Sequence, residues 1–206
     1  MSTRAPVELP KRVMDFCRTI SPLPPVVLPV EAEPFALPAE CYGNVEEQVR
    51  RSGGAIAFGW QIWDWAGVFT EAEFHAVWRS PAGTLHDITP KADGDSEIVF
   101  LPDPSRRYDG RRIDSIRRPA SDNRVIGDFI RLCEANFFRF GQLKSGIKLD
   151  ERDSDLYRSV DLARMFMVET IRRGANRNAP CNCGSGERYK RCHEPKLHKL
   201  IEALRE

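Results

Sequence analysis

Three of the six cysteines in this 206-residue chain lie within twelve residues, at Cys181, Cys183 and Cys192, and His193 follows the last of them. The N-terminus carries no apolar signal segment, so we expect a cytoplasmic chain, in which crowded cysteines bind metal more often than they form disulfides. The spacing Cys-x-Cys, eight residues, Cys-His offers three thiolates and one imidazole to a tetrahedral ion. The sequence therefore predicts one structural Zn²⁺ with four protein ligands.

The residues around these four positions suit a small metal site. Pro180 keeps the chain extended before Cys181, and the glycines of "GSG" (184–186) allow a tight reversal that brings backbone N–H groups near the sulfurs. The segment "ERYKRCH" can wind into a helical turn that delivers the last two ligands. Three thiolates and one Zn²⁺ leave a charge of −1, which nearby basic residues would offset: Arg188, Lys190, Arg191 and Lys196.

Residues 177–193 resemble the SEC-C motif, known as the C-terminal tail of the preprotein translocase ATPase SecA. The residues that carry the resemblance are Arg177, Asn178, Pro180, Cys181, Cys183, Gly184, Ser185, Gly186, Tyr189, Lys190, Cys192 and His193. Such tails bind an export chaperone and the ribosome, so the resemblance implies docking of a protein partner or the ribosome. His198 lies outside the ligand pattern, and we expect it on the surface of the last helix.

The rest of the chain has the composition of a globular protein, with 41% hydrophobic and 30% charged residues. No apolar run is long enough for a membrane span. Short aromatic-rich segments separated by Pro, Gly or Asp predict a small, mostly antiparallel sheet, with strands at 55–63, 72–79, 84–89 and 97–101. We expect an extended, proline-rich lead-in over residues 1–40, and a short helix over "NVEEQVRR" with Asn44 as its N-cap.

Two longer helices follow the strands. Apolar residues at helical spacing predict one helix near 125–137 and a second near 155–173. The predicted fold class is α+β: a sheet domain over 1–120, a helical segment packed on it over 121–173, and the zinc-binding unit over 174–206.

The stretch "EAEFHAVWRSPAGTLHDITP" raises a second hypothesis. His75 lies in one predicted strand and Asp87 in the next, and Cys41 precedes a helix, where partial positive charge favours a thiolate. A cysteine nucleophile needs an imidazole that takes its proton and a carboxylate that orients the imidazole. His75 and Asp87 share a face of the hairpin only if the loop has an odd number of residues. His86 is next to Asp87 in the strand, so it points to the opposite face.

The order Cys, His, Asp and the phrase "HAVW…G…LHDITP" resemble the transglutaminase-like branch of papain-type cysteine enzymes. The resemblance implies Cys41 as nucleophile, His75 as base and Asp87 as orienting group. The alternative stays open: His75 as a hydrogen-bonded core residue, Cys41 as a packed thiol and Asp87 as a turn residue.

Three functions compete at this point. The first is a zinc-containing adaptor that docks a protein or the ribosome. The second is a cysteine hydrolase or acyltransferase whose SEC-C tail brings it to its substrate. The third is nucleic-acid binding through the basic segment 171–199, which no RNA-recognition motif supports.

Overall fold

The computed structural model describes residues 5–6, 9–91, 94–143 and 147–206. The chain divides into two compact units. The sheet unit is Ser2–Ala66 with Thr70–Arg118, and the helical unit is Gly67–Phe69 with Pro119–Glu206. The α+β class, with a mostly antiparallel sheet and a C-terminal cysteine cluster, is confirmed.

The strands form one sheet in the order β1-β5-β2-β3-β4, and β6 pairs with β3. An isolated parallel bridge between Val30 and Asp87 joins the two ends of this order, so the sheet is nearly closed. The bounds are β1 Val26–Pro29, β2 Ala55–Trp65, β3 Phe69–Arg79, β4 Leu85–His86, β5 Glu97–Pro102 and β6 Ile116–Pro119.

Alternation along the strands distributes the apolar side chains between two layers. Trp60, Ile62 and Phe74 pack in one cluster with residues of a helix, α1 (Lys11–Arg18). Val77 and Phe100 belong to a second cluster. Because residues 74–77 are buried throughout, both faces of β3 are covered where His75 lies.

Two helices of the sheet unit differ from expectation. The lead-in was predicted to be extended, yet Lys11–Arg18 is helical, because Val13, Phe16 and Cys17 share one buried face. The helix α2 is Cys41–Ser52, so its start lies three residues before the predicted N-cap. The Asn44 side chain instead bonds the backbone of Leu37 in both directions, at 2.9 and 2.8 Å.

The helical unit contains α3 (Arg124–Phe140), α4 (Glu151–Arg172), α5 (Tyr189–Cys192) and α6 (Glu194–Ala203). Asn123 and Asp150 cap α3 and α4 by accepting backbone N–H bonds, as short polar residues do at helix starts. The buried side chains of the helical unit include Phe129, Met167 and Tyr189. Among the described residues, no helix combines the length and apolar character needed to cross a membrane.

Candidate functional sites

The four predicted metal ligands come together in the helical unit. The ligand atoms of Cys181, Cys183, Cys192 and His193 all lie within 4.8 Å of one another. His193 Nδ1 is 3.1 Å from the Cys181 sulfur and 3.3 Å from the Cys192 sulfur, and Cys183 and Cys192 sulfurs are 3.5 Å apart. A tetrahedral zinc site would separate its ligand atoms by about 3.5–3.8 Å. The three distances are at this spacing or up to about 0.4 Å shorter, so a small outward movement of the ligands would accommodate such an ion.

A tight backbone reversal brings these ligands together. Pro180 and Arg188 form an antiparallel bridge, and the Cys181 N–H donates to the Glu187 carbonyl at 2.7 Å. Gly184 and Gly186 have φ of 77° and 78°, a region that favours glycine. The reversal leads into α5, which ends at Cys192 with His193 immediately after it.

The thiols differ in environment. Burial raises the pKa of Cys181 to about 11. Hydrogen bonds from Ser185 lower the pKa of Cys183 to about 7. Cys183 therefore ionises easily, whereas Cys181 would lose its proton only when a metal ion binds. Metal binding to cysteine generally releases such protons.

The cluster is anchored in the core of its unit. Tyr189 is fully buried, and its hydroxyl contacts the Met167 sulfur at 3.4 Å. The Phe166 ring stacks on the His193 imidazole with centroids 4.1 Å apart. Arg177 pairs with the buried Glu194 at 3.1 Å, which ties the start of the segment to its end.

Residues 177–195 match the SEC-C motif. No curated protein and no solved structure matches the chain. The SEC-C segment and its Cys₃His cluster indicate metal binding.

A second group of potential ligands, Asp128, Glu194 and His198, lies near the SEC-C segment. The sequence predicts His198 on the surface of the last helix, and its side chain is 36% exposed. His198 is partly buried and bonds Asp128 at 3.0 Å, and both lie near Glu194. Arg131 pairs with Asp128 and Arg177 pairs with Glu194. Because both carboxylates already have cationic partners, this group is an ion-pair network that braces α6 against α3.

In the sheet unit, the hairpin has the parity that the second hypothesis required. Trp78 pairs with His86 and Arg79 with Leu85, leaving a five-residue loop over 80–84. His75 and Asp87 consequently share a face, and His75 Nε2 lies 3.1 Å from Asp87 Oδ2. His86 is on the other face, where its Nδ1 lies 2.7 Å from a Glu31 oxygen.

Cys41 completes this group. Burial lowers the pKa of His75, but the charge of Cys41, hydrogen bonds with Asp87 and Cys41, and the charge of Asp87 together raise it to about 9. With Nε2 directed at Asp87, the other ring nitrogen, Nδ1, is the one left for the thiol. The structure thus brings together the three residues that the hypothesis named.

Two side chains at the start of α2 fix the position of Cys41. Tyr42 donates its hydroxyl to the Phe74 carbonyl at 3.0 Å, next to His75 in β3. Asn44 donates to the Thr89 hydroxyl at 3.2 Å, two residues beyond Asp87. Cys41 is the first residue of α2.

Sequence reasoning missed one member of this site. Lys91 donates to Asp87 Oδ2 at 2.6 Å and to Gln61 Oε1 at 3.0 Å, although its side chain is only 8% exposed. An Asp followed four residues later by Lys was the available signal. Such a pair usually faces solvent, so the spacing alone does not indicate a buried site. Burial raises the pKa of Asp87, but hydrogen bonds and charge from His75 and Lys91 outweigh it and lower the pKa to about 2.

Proposed function

We propose that the chain is a cysteine-nucleophile enzyme, a hydrolase or acyltransferase, that acts on amide or thioester carbonyls. The observation that carries the proposal is the buried His75 with Asp87 on Nε2 and Cys41 as its other partner. A packed thiol and a core histidine would not need this order of nucleophile, base and orienting carboxylate.

The chemistry follows from those three groups. His75 takes the Cys41 proton, and the sulfur attacks the acyl carbon to form a tetrahedral adduct. The C–N or C–S bond then breaks, and the imidazolium gives its proton to the departing amine or thiol. Water or an acceptor amine, deprotonated by His75, releases the acyl group from the thioester and regenerates the thiol. Asp87 holds the ring in the required tautomer throughout.

The experiment is alkylation of each cysteine with iodoacetamide, followed by peptide mass spectrometry. We expect Cys41 to react at neutral pH at least tenfold faster in the wild-type protein than in His75→Gln. The matched control is His86→Gln, because His86 belongs to the same hairpin but to its other face. Equal rates for Cys41 in wild type and His75→Gln would refute the proposal.

A direct chemical readout complements the alkylation. Incubation with an acetyl thioester should add one acetyl group to Cys41, detected as a mass increase on its peptide. His75→Gln should lose this adduct and His86→Gln should keep it. Acetylation confined to lysines, with Cys41 unmodified, would contradict the proposed nucleophile.

A second proposal concerns the SEC-C segment. We infer that its ion is one structural Zn²⁺, because three thiolates and an imidazole leave no open position for catalysis. Elemental analysis should find one zinc per chain, and Cys192→Ser should lower that content sharply. Zinc at the same level in Cys192→Ser would contradict the assignment.

The segment also supports a docking role for a protein partner or the ribosome. The exposed basic residues of the segment and of the helix α6 that follows it are Arg188, Arg191, Lys196 and Lys199. We expect co-sedimentation with purified ribosomes that falls with added salt and is lost in a double variant, Arg188→Glu with Arg191→Glu. Binding unchanged in that variant, or none in the wild type, would refute ribosome docking. Binding of naked RNA with equal affinity would favour the nucleic-acid alternative.

A further inference from the structure

The carboxylate of Asp87 is shared between two cations. Oδ2 lies 3.1 Å from His75 Nε2 and 2.6 Å from Lys91 Nζ, while Oδ1 accepts the Thr89 N–H at 3.0 Å. Asp87 is fully buried, so solvent does not screen these contacts. The ammonium group of Lys91 is therefore no more than about 6 Å from the imidazole, by the sum of the two distances.

Lys91 is itself held in place. Its Nζ donates to Gln61 Oε1 at 3.0 Å, and Gln61 lies in β2 with 2% exposure. The chain of contacts runs from Gln61 through Lys91 and Asp87 to His75, and Cys41 also acts on the His75 ring. Burial of an ammonium group is unfavourable unless other groups compensate its charge and hydrogen bonds. The buried amide of Gln61 and the buried carboxylate of Asp87 provide that compensation for Lys91.

We propose that Lys91 is a positioning residue of the Cys41–His75–Asp87 site: its ammonium group fixes Asp87 against His75 and limits how strongly that carboxylate stabilises the imidazolium. Its consequence for catalysis rests on the proposed function, whereas its effect on His75 does not. Lys91 touches neither the nucleophile nor the reacting carbonyl, and it acts through Asp87.

The sign of the effect follows from the charges near His75. Among the described residues, Cys41 from α2 and Asp87 after β4 favour the imidazolium. Tyr42, a titratable residue next to Cys41 in the chain, is partly buried, and desolvation raises its pKa. Lys91 opposes the imidazolium by like charge and by neutralising Asp87. Removal of the lysine charge should raise the pKa of His75.

The test is an NMR titration of the His75 ring in the full-length, zinc-loaded protein, assigned with His75→Gln among the four histidines. In Lys91→Met the pKa of His75 should rise by about one unit, the usual effect of a charge within 4–6 Å. Lys91→Arg should restore it toward the wild-type value. Lys199→Met, an exposed lysine of the helical unit, is the control and should leave it unchanged.

Lys91→Gln keeps a hydrogen-bond donor without the charge and serves if Lys91→Met does not fold. A His75 pKa that is unchanged or lower in the folded neutral variants would overturn the proposal. The pH profile of Cys41 alkylation should move by the same amount as the titration. If Cys41 of the wild-type protein is alkylated no faster than Cys41 of His75→Gln, the proposed function is wrong. The titration of His75 still decides the role of Lys91.

Discussion

Substitution of Asp87 by asparagine tests the electrostatics of the sheet unit most directly. The asparagine keeps the shape of the side chain and its ability to accept from the Thr89 N–H, but removes the charge that faces His75 and Lys91. The pKa of Asp87 is about 2. An unperturbed aspartate titrates near 3.9, so the difference of about two units is worth about 2.5 kcal/mol of stability.

The sign of the pH dependence follows from the lowered pKa. The stability that Asp87 contributes is fully present above about pH 5 and is lost as the pH falls toward 2. In this range the aspartate of the unfolded state binds a proton more readily than that of the folded state. Roughly two thirds of it should be gone by about pH 2.5. The free energy of unfolding of wild type minus that of Asp87→Asn should therefore shrink by about 1.5–2 kcal/mol between pH 6 and pH 2.5.

Urea unfolding monitored by tryptophan fluorescence measures this free-energy difference for the sheet unit. All four tryptophans belong to the sheet unit. Asp109→Asn, an exposed loop aspartate of the same unit, is the control and should change stability by less than about 0.5 kcal/mol. A difference between wild type and Asp87→Asn that stays constant from pH 6 to pH 2.5 would refute the reasoning.

Four further predictions concern packing, burial and helix capping. Gly59→Ala should destabilise the sheet unit by about 3 kcal/mol or more in the same fluorescence assay, because a Cβ there would lie 2.3 Å from the Leu101 carbonyl oxygen. Its counterpart Gly127→Ala, with nothing within 4 Å, should leave α3 unchanged or stabilise it by up to about 1 kcal/mol by circular dichroism. Cys17, 1% exposed with its pKa raised to about 11 by burial, should resist iodoacetamide at pH 8 until the protein unfolds. Asn123→Ala should cost about 1–2 kcal/mol in thermal unfolding, since the side chain caps α3 and also donates to the Ala175 carbonyl.

The Cys₃His cluster was predictable because its geometry is local. All four ligands lie within thirteen residues, 181–193, so the positions of two glycines and one helical turn determine where they meet. The strands were predictable for a related reason: turn residues delimit them, and the structure begins and ends each long one within a few residues of expectation.

The features that the sequence did not reveal depend on distant contacts. An eight-residue helix such as α1 is marginal alone, and its burial against the sheet stabilises it. Asn44 has the properties of an N-cap, but its partners Leu37 and Thr89 lie outside the helix. Lys91 became recognisable only when pairing of β3 with β4 brought Asp87 to His75.

Charge explains why the candidate catalytic site contains a fourth member. The carboxylate of Asp87 is buried, and two groups that can carry positive charge share its Oδ2, His75 at 3.1 Å and Lys91 at 2.6 Å. Loss of Asp87 or of one of its partners leaves buried charge uncompensated, which destabilises the fold. His75, Asp87 and Lys91 will therefore each behave as structural residues in a stability assay, whatever their part in the reaction. Only measurements on the groups themselves, the alkylation rate of Cys41 and the titration of His75, separate the nucleophile and its base from the residues that hold them.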